Sequence, residues 1–330
     1  MVDTIYTITN YHMGIKNLNR YLTNNCNDQA IKKVHLSTFS DKKIAIDASI
    51  YMYRFIGENK LIEHMYLMVS IFTHYKITPV FIFDGISPPE KKELLDERKE
   101  NKRIAEEKYE SIKQQLANSA DEEKYEIISE MEKLKKQFIH IKHADYKSVK
   151  TILDTCGITW IDAPGEADEL CAHLMHTEQV YACLSEDMDM FAYGCCRIMR
   201  HLSLAKHNVL FYDLTEILVQ LKMNLHEFRQ VVILSGTDYN KEDTTNLDDS
   251  FTWFKAYKKN TILIEENVPS FYEWLLQHTD YIKNPDGLKI AYQMFDIKKK
   301  QMEINCLIEN KKTNKEQLIQ FLDQDGFIFV

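Results

Sequence analysis

Short apolar runs followed by acidic residues recur along the first two thirds of the chain. The runs and their acids are 43–46 with Asp47, 79–83 with Asp84, 180–184 with Asp187 and Asp189, and 231–234 with Asp238. Runs this short and this apolar are typical of strands that are buried on both faces. Helical patterns such as 49–75 and 167–176 lie between them. The alternation predicts an α/β fold with a mainly parallel twisted central sheet and helices on both faces.

The segment 90–150 differs from its surroundings in composition. It has 15 basic and 15 acidic residues and no Gly or Pro, which favours an exposed helical hairpin or coiled coil. Its basic residues concentrate towards both ends of the segment. Beyond residue 240, the pattern predicts short amphipathic helices around 253–257, 271–276, 288–295 and 314–322.

Composition narrows the class of protein. The 330 residues include 41 basic and 50 acidic ones, a formal charge of −9, which by itself argues against a nucleic-acid binder because such domains are usually basic. Seven cysteines without a Cys-x-x-Cys pair fit reduced thiols inside a cell better than a disulfide framework or a zinc site. No apolar run approaches the roughly 18 residues of a membrane span, and the N-terminus lacks a secretory-signal pattern.

The acids matter as a set because the carboxyl ends of parallel strands meet at one edge of a sheet. The segment 162–169 adds Glu166 and Asp168, near what resembles a helix N-terminus. Seven carboxylates without basic partners would repel one another, so we expect cations among them. Oxygen ligands without His or Cys suit Mg²⁺ or Mn²⁺, and two such ions can promote phosphodiester hydrolysis. The candidate ligands are Asp47, Asp84, Glu166, Asp168, Asp187, Asp189 and Asp238.

Each acid taken alone has a simpler interpretation. A single Asp after a strand usually caps a helix or forms a turn. Glu166 and Asp168 would be favourable at a helix N-terminus through the helix dipole alone. That interpretation leaves unexplained why every predicted buried strand ends in an acid, so we favour the metal site.

Six motifs follow one another in order between residues 13 and 240. They are Met-Gly-Ile-Lys-Asn-Leu at 13–18, Ile-Ala-Ile-Asp-Ala-Ser at 44–49, Pro-Val-Phe-Ile-Phe-Asp-Gly at 79–85, Ala-Pro-Gly-Glu-Ala-Asp at 163–168, Ser-Glu-Asp-Met-Asp at 185–189 and Leu-Ser-Gly-Thr-Asp-Tyr at 234–239. As an ordered set they resemble the flap endonuclease family, the XPG-type structure-specific 5′ nucleases. The resemblance implies a PIN-like fold and a nuclease that cuts DNA near the junction of a 5′ flap with duplex.

The resemblance also implies roles for individual residues. The seven acids would hold two Mg²⁺ ions, for which Mn²⁺ can substitute. Lys91 and Arg98 match cations that stabilise the scissile phosphate, although alone they would indicate only an exposed helix face. Tyr53 matches an aromatic side chain on which a base at the cut site stacks; alone it is equally well explained as a helix aromatic in the core. Further candidate DNA contacts are Gly14, Lys92, Lys99, Lys102, Arg103, Lys133, Lys135 and Lys136.

The domain organisation follows from the same resemblance. We expect an N-terminal extension at 1–12, a nuclease core formed by 13–89 and 146–240, a helical arch inserted at 90–145, and a divergent helical duplex-binding region at 241–330. The chain departs from the family in four places: the extension, with Met13 as an alternative start; Asp168 where Glu is common; a short loop between Phe55 and Glu63; and no Gly-rich helix-two-turn-helix after Asp238. Residues 317–321 match a sliding-clamp peptide poorly.

Two alternatives stay open. A 5′-3′ exonuclease acting on DNA or RNA would use the same residues, and a non-catalytic nucleic-acid-binding scaffold would be expected to have lost ligands. We expect an intracellular monomer without membrane contact that acts in DNA replication or repair, in the nucleus or at a site of viral replication. Without the seven candidate ligands, 43 acids nearly balance 41 basic residues. The net acidity therefore belongs mainly to the predicted metal site.

Overall fold

A mixed sheet forms the centre of the fold in this computed structural model, which describes residues 14–116, 121–240, 245–262, 268–297, 307–324 and 326. The seven strands in those residues are β1 (Ile31–His35), β2 (Lys43–Asp47), β3 (Thr78–Phe83), β4 (Thr159–Asp162), β5 (Ala182–Leu184), β6 (Arg197–Ser203) and β7 (Asn208–Asp213). Their order in the sheet is β1-β7-β6-β5-β2-β3-β4. The predicted extension at 1–12 and parts of 241–330 lie outside the described residues.

The sheet is parallel through its middle. The neighbours β6, β5, β2, β3 and β4 are parallel, whereas β7 pairs antiparallel with both β6 and β1. Consecutive residues of β2, β3 and β5 are buried. Because neighbouring side chains in a strand point to opposite faces, both faces of the sheet are covered here. The predicted α/β fold with a mainly parallel sheet is confirmed.

Helices connect and cover these strands. Those within the described ranges are α1 (Leu18–Asn25), α2 (Ala48–Gly57), α3 (Leu61–His74), α4 (Lys92–Leu116), α5 (Asp121–Lys135), α6 (His143–Cys156), α7 (Ala167–His176), α8 (Asp189–Ala192), α9 (Leu214–Leu221), α10 (Leu225–Leu234), α11 (Leu247–Thr261), α12 (Phe271–His278), α13 (Pro285–Met294) and α14 (Lys315–Gln324). None of them is long and apolar enough to cross a membrane.

The charge-dense segment forms a helical hairpin. Its helices α4 and α5 pack around a small apolar cluster of their own, formed by Ala105, Ile112 and Leu134 with partly buried aromatic and aliphatic neighbours. This cluster is separate from the main core, which surrounds the sheet. The expected exposed hairpin is therefore present, and it is held together by few apolar contacts.

The prediction of a strand at 231–234 was wrong, because these residues end helix α10. Asn224 begins this helix by accepting a hydrogen bond from the Glu227 amide at 2.9 Å, and the Glu227 carboxylate accepts one from the Asn224 amide at 3.0 Å. Such a capping box fixes a helix start. The β-branched run at 231–233 is buried, as predicted, but on a helix rather than a strand. Asp238 therefore follows a helix.

Two other features differ from the sequence pattern. The helical pattern 49–75 is divided into α2 and α3, and Asn59 between them has a left-handed backbone with φ 54°. The antiparallel pair β6–β7 and the edge strand β1 were not predicted. Strand β1 exposes Lys32 and Lys33, which gives it the polar pattern that edge strands commonly show.

Candidate functional site

Three neighbouring parallel strands bring acids to one edge of the sheet. Strand β2 ends at Asp47, β3 is followed by Asp84, and β5 is followed by the segment that contains Asp187 and Asp189. The three strands are adjacent in the order β5-β2-β3. Their carboxyl ends therefore deliver four of the seven predicted acids to the same place.

Hydrogen bonds link these acids. The Ser185 hydroxyl donates to Asp47 Oδ2 at 3.3 Å and accepts from the Asp187 amide at 3.1 Å. Asp187 Oδ1 accepts from the Asp189 amide at 2.8 Å. Asp47 Oδ1 accepts, at 3.5 Å, from the amide of Ile50 in the first turn of α2. Backbone or hydroxyl donors thus orient the carboxylates of Asp47 and Asp187, whereas Asp189 takes part through its backbone amide.

Glu166 and Asp168 arrive from the N-terminus of α7. Asp84 Oδ1 accepts from the Ala167 amide at 2.8 Å, so the acid after β3 caps this helix. The loop before the helix lies against Gly85, whose amide donates to the Gly165 carbonyl at 2.8 Å. A Cβ at Gly85 would overlap the Ala163 carbonyl. Only glycine allows this close approach, which brings the N-terminus of α7 to the acids of the sheet.

Burial and mutual repulsion raise the pKa values of the acids in this cluster. Burial is the main cause of a pKa well above the ordinary range for Asp47, Asp168 and Asp189, and neighbouring carboxylates add to it. The pKa of Asp187 rises to about 6, through burial and then through the charge of Asp238. Four buried acids that destabilise one another's charged forms have the electrostatics of a cation site.

Two cations enter this cluster, which corrects the expectation that the acids lack basic partners. Lys91 is only 8% exposed, and its Nζ lies 2.8 Å from Glu166 Oε1 and 3.2 Å from Asp238 Oδ2. Arg98 Nη2 lies 3.1 Å from Asp238 Oδ2. Burial alone would lower the pKa of Lys91, but Asp168, Asp238 and Glu166 raise it above its ordinary range. Both predicted phosphate-binding cations therefore lie among the candidate ligands.

The donor set fits a divalent ion that prefers oxygen. Asp189 Oδ1 is buried and has no hydrogen-bond donor among the described residues. A Cβ at Gly14 would overlap Asp187 Oδ1 and Asp189 Oδ1, so the chain leaves these oxygens room that any other residue would fill. No group of three or more His, Cys, Asp or Glu side chains in the described ranges is arranged as it stands to hold an ion. The Lys91 ammonium instead bridges Glu166 and Asp238.

Tyr53 lies on α2, where it is 38% exposed. Lys102 Nζ lies 4.9 Å from the centroid of its ring and donates to the Ile139 carbonyl at 3.1 Å. Burial, and then Arg98, lower the pKa of Lys102. Lys102 therefore lies against the ring of Tyr53, and both are predicted DNA contacts. Lys102 also joins α4 to the segment after α5.

The other predicted DNA contacts are dispersed. Lys92 and Lys99 are exposed near the beginning of α4, and Lys133 and Lys135 are exposed near the end of α5. Lys136, just after α5, is half-buried. Arg103 pairs with Glu100 and Glu107 on its own helix. The structure thus brings the seven acids, Lys91 and Arg98 together with Gly14, but leaves most of the basic residues of the hairpin at its surface.

Sequence reasoning missed Tyr239, Tyr193 and Ser185. The Tyr239 hydroxyl donates to Glu166 Oε2 at 2.6 Å and lies 3.1 Å from the Tyr193 hydroxyl. Tyr239 follows Asp238 directly and Ser185 opens the motif of Asp187 and Asp189, so proximity in sequence was an available signal for both. Nothing in the sequence indicated Tyr193, because its contact depends on how α8 packs beside α10.

Comparison with known proteins adds independent findings. The family model for the XPG N-terminal domain matches residues 13–106, and the model for the XPG I-region matches residues 157–238. Flap endonuclease 1-A of Physcomitrium patens is 31% identical over 246 residues, which are 69% of this chain and 60% of that protein. Flap endonuclease 1 of Komagataella phaffii is 28% identical over 341 residues, 96% of this chain and 86% of that protein. The chain spans 60–63% of the length of the first curated relatives it matches.

Solved structures share the fold. The catalytic core of Rad2 in complex with DNA substrate has a TM-score of 0.65 at 22% identity, with 95% of each chain covered. Flap endonuclease-1 from Methanococcus jannaschii has a TM-score of 0.57 at 20% identity, with 89% of this chain and 90% of that chain covered. These similarities confirm the predicted PIN-like nuclease fold.

Proposed function

The chain belongs to the XPG-type flap endonuclease family, and from that premise we propose that it is a structure-specific 5′ nuclease that hydrolyses DNA phosphodiesters near 5′-flap junctions. The observation that carries the proposal is the convergence of seven acids with Lys91 and Arg98 at one edge of the sheet. A buried acidic cluster with two cations beside it suits a charged phosphate and the ions that accompany it.

Four of the seven candidate ligands form two pairs that differ in their surroundings. Asp187 Oδ1 and Asp189 Oδ1 lie against Gly14, and Asp189 Oδ1 has no hydrogen-bond donor among the described residues. Glu166 and Asp238 are bridged by Lys91. Two Mg²⁺ ions, when bound by the seven acids, would activate water and stabilise the leaving oxygen. Mn²⁺ has the same ligand preference and would substitute.

Lys91 and Arg98 act on the phosphate in this proposal. Lys91 is a compact cation and Arg98 a planar donor that can hold two phosphate oxygens. Lys91 pairs with Glu166 and Asp238, and Arg98 pairs with Asp238. When ions compensate the acids, both side chains become available to the scissile phosphate, where each stabilises the charge that develops in the transition state.

Tyr53 serves as the stacking surface for a base at the cut site. Its ring is partly exposed on α2, and Lys102 Nζ lies over one face of it, 4.9 Å from the centroid. An aromatic face accepts any base, which suits an enzyme that selects a junction rather than a sequence. Gly14 and the basic residues at the ends of α4 and α5 would contact the strand that leads to this base.

The other expectations from the sequence stay predictions. They are a monomer that acts in DNA replication or repair, in the nucleus or at a viral replication site, and the division into core, arch at 90–145 and duplex-binding region at 241–330. Clamp binding is not proposed, because Gln317–Phe321 does not supply the paired aromatic residues of a clamp peptide.

The test compares substrates that differ only in their ends. We expect the protein with Mg²⁺ to cleave a 5′-labelled flap duplex at the junction, and to cleave a blunt duplex and single-stranded RNA more slowly. Equal mononucleotide release from blunt duplex or RNA would favour a 5′-3′ exonuclease instead. Binding of the flap without cleavage of any substrate would favour the non-catalytic scaffold.

A further inference from the structure

Two tyrosines behind the acidic cluster form a directed chain of hydrogen bonds. Tyr239 Oη donates to Glu166 Oε2 at 2.6 Å and lies 3.1 Å from Tyr193 Oη. A phenol has one proton to donate. Because the Tyr239 proton is directed at Glu166, the Tyr193 hydroxyl must donate to the Tyr239 oxygen. The order is therefore Tyr193 to Tyr239 to Glu166.

Tyr239 contacts a cation of the site as well as an acid. Lys91 Nζ lies 5.6 Å from the centroid of the Tyr239 ring, a distance at which the ring face attracts a cation. The same ammonium donates to both oxygens of Glu166, at 2.8 and 3.0 Å. One side chain thus supports Glu166 through its hydroxyl and Lys91 through its ring.

The Tyr239 backbone and ring are both fixed. Its amide donates to Thr237 Oγ1 at 3.2 Å, and Asn240 Nδ2 ties the segment back to the Ile233 carbonyl of α10 at 2.8 Å. Phe295 packs against the rings of Tyr239 and Tyr193, with centroid distances of 5.3 and 4.8 Å. A hydroxyl held in this way can orient a carboxylate with little loss of its own entropy on binding.

We propose that Tyr239 is a positioning residue that holds Glu166 in the orientation in which it binds a divalent ion, and that Tyr193 keeps the Tyr239 hydroxyl directed at Glu166. The inference rests on the proposed function, because this orientation matters only if Glu166 is a ligand. Hydrogen-bond partners of metal ligands commonly change metal affinity by about 10- to 100-fold.

The first measurement is binding of Mn²⁺ alone, without DNA, followed by the loss of the free-ion paramagnetic resonance signal. Tyr239→Phe removes the hydroxyl and keeps the ring above which Lys91 lies. We expect at least one Mn²⁺ ion to bind about tenfold more weakly in Tyr239→Phe than in the unsubstituted protein. Tyr193→Phe should have a smaller effect, about threefold, because Tyr239 keeps its own hydrogen bond to Glu166.

Tyr272→Phe is the matched control. Tyr272 lies on α12 and is half-buried, as Tyr239 is in its turn, and the Tyr272 hydroxyl donates to the Gln230 carbonyl at 2.7 Å, away from the acids. We expect Tyr239→Phe and Tyr272→Phe both to lower the metal-free melting temperature, since each loses a hydroxyl hydrogen bond, and Tyr272→Phe to leave Mn²⁺ affinity unchanged. An equal loss of Mn²⁺ affinity in Tyr272→Phe would contradict the inference, because the effect would then come from general loosening.

The two proposals fail in different ways. Unchanged Mn²⁺ affinity in Tyr239→Phe, with tight binding by the unsubstituted protein, would overturn this inference alone. Absence of Mn²⁺ binding by the unsubstituted protein would overturn the proposed metal-dependent function and this inference with it.

Discussion

The acidic edge of the sheet and the hairpin α4–α5 are both rich in charge, but they handle it in opposite ways. At the edge of the sheet, acids are buried beside one another and two cations from outside the sheet reach them. In the hairpin, charges of both signs alternate and pair in water, as Arg103 does with Glu100 at 54% and 52% side-chain exposure. Exposed ion pairs contribute about 0–1 kcal/mol each to the free energy of unfolding, whereas buried charges of the same sign destabilise the folded state.

The difference shows how to distinguish charge that serves solubility from charge that serves chemistry. An exposed helix gains solvation from any balanced mixture of Lys and Glu. A fold that retains several buried acids carries a cost that a bound cation offsets. Stability and activity should therefore respond in opposite directions when an acid at the edge of the sheet is neutralised, and hardly at all when a charge of the hairpin is neutralised.

The largest effect is expected from Asp189→Asn, which neutralises the acid with the orphan oxygen. The flap-cleavage rate should fall by about a thousandfold or more, since loss of a metal ligand removes several kcal/mol of transition-state stabilisation. The metal-free melting temperature should rise, because one repulsive buried charge is gone. Single-turnover cleavage and a thermal scan in EDTA measure the two effects.

Asp213→Asn provides the control for this change. Asp213 also ends a strand, β7, but it only caps α9, where Oδ1 accepts from the Thr215 amide at 3.0 Å. Its replacement should leave cleavage unchanged, because Asn caps a helix about as well as Asp. A comparable loss of cleavage in both variants would remove the distinction between a capping acid and a ligand.

Lys91→Met tests the buried cation and should have the next largest effect. We expect single-turnover cleavage to fall by about 100- to 1,000-fold, as for other preorganised charge-stabilising groups. The metal-free melting temperature should decrease, opposite in sign to Asp189→Asn, since Glu166 and Asp238 lose their bridge. Lys113→Met, in the exposed hairpin, should change neither quantity, and a rise in melting temperature for Lys91→Met would contradict the account.

Tyr53→Ala should have a moderate effect. Loss of base stacking costs about 1–3 kcal/mol per base, so flap affinity or single-turnover rate should fall by about 5- to 150-fold. Tyr53→Phe keeps the ring face and should behave as the unsubstituted protein. If Phe and Ala variants are equally impaired, the hydroxyl rather than the ring is responsible and the stacking role is wrong.

The smallest effect is expected in the hairpin. Lys108 Nζ lies 2.7 Å from Glu130 Oε1 across α4 and α5. A double-mutant cycle with Lys108→Ala and Glu130→Ala should give a coupling in the free energy of unfolding below about 1 kcal/mol, decreasing with salt. A coupling of several kcal/mol would mean that the hairpin charges resemble those of the buried cluster after all.

The sequence was informative where chemistry and local structure coincide. Apolar runs before Asp47, Asp84 and Asp187 predicted both the strands and the shared edge, because a buried strand and the loop after it are adjacent in the chain. The run before Asp238 was predicted to be a strand and is the end of helix α10, although Asp238 does join the other acids. An apolar β-branched run can be buried on a helix, and Asn224 caps this one.

Contacts between distant segments were not predictable in the same way. The pairing of Lys91 with Glu166 and Asp238 joins residues 75 and about 150 positions apart, and no local pattern encodes it. The Tyr193–Tyr239–Glu166 chain depends on the packing of three separate segments. Strand β1 exposes Lys32 and Lys33, so its pattern resembles that of a loop, and its pairing with β7 joins residues as far apart as Ile31 and Tyr212.

The most direct test of the central claim is cleavage of a 5′-labelled flap duplex, in Mg²⁺ and in EDTA, by the unsubstituted protein and by the Asp187→Asn/Asp189→Asn double variant. We expect a single product cut near the junction, formed only by the unsubstituted protein and only with Mg²⁺. The same rate in EDTA, or the same turnover by the double variant, would contradict the assignment of the acidic edge of the sheet as a metal-dependent nuclease site.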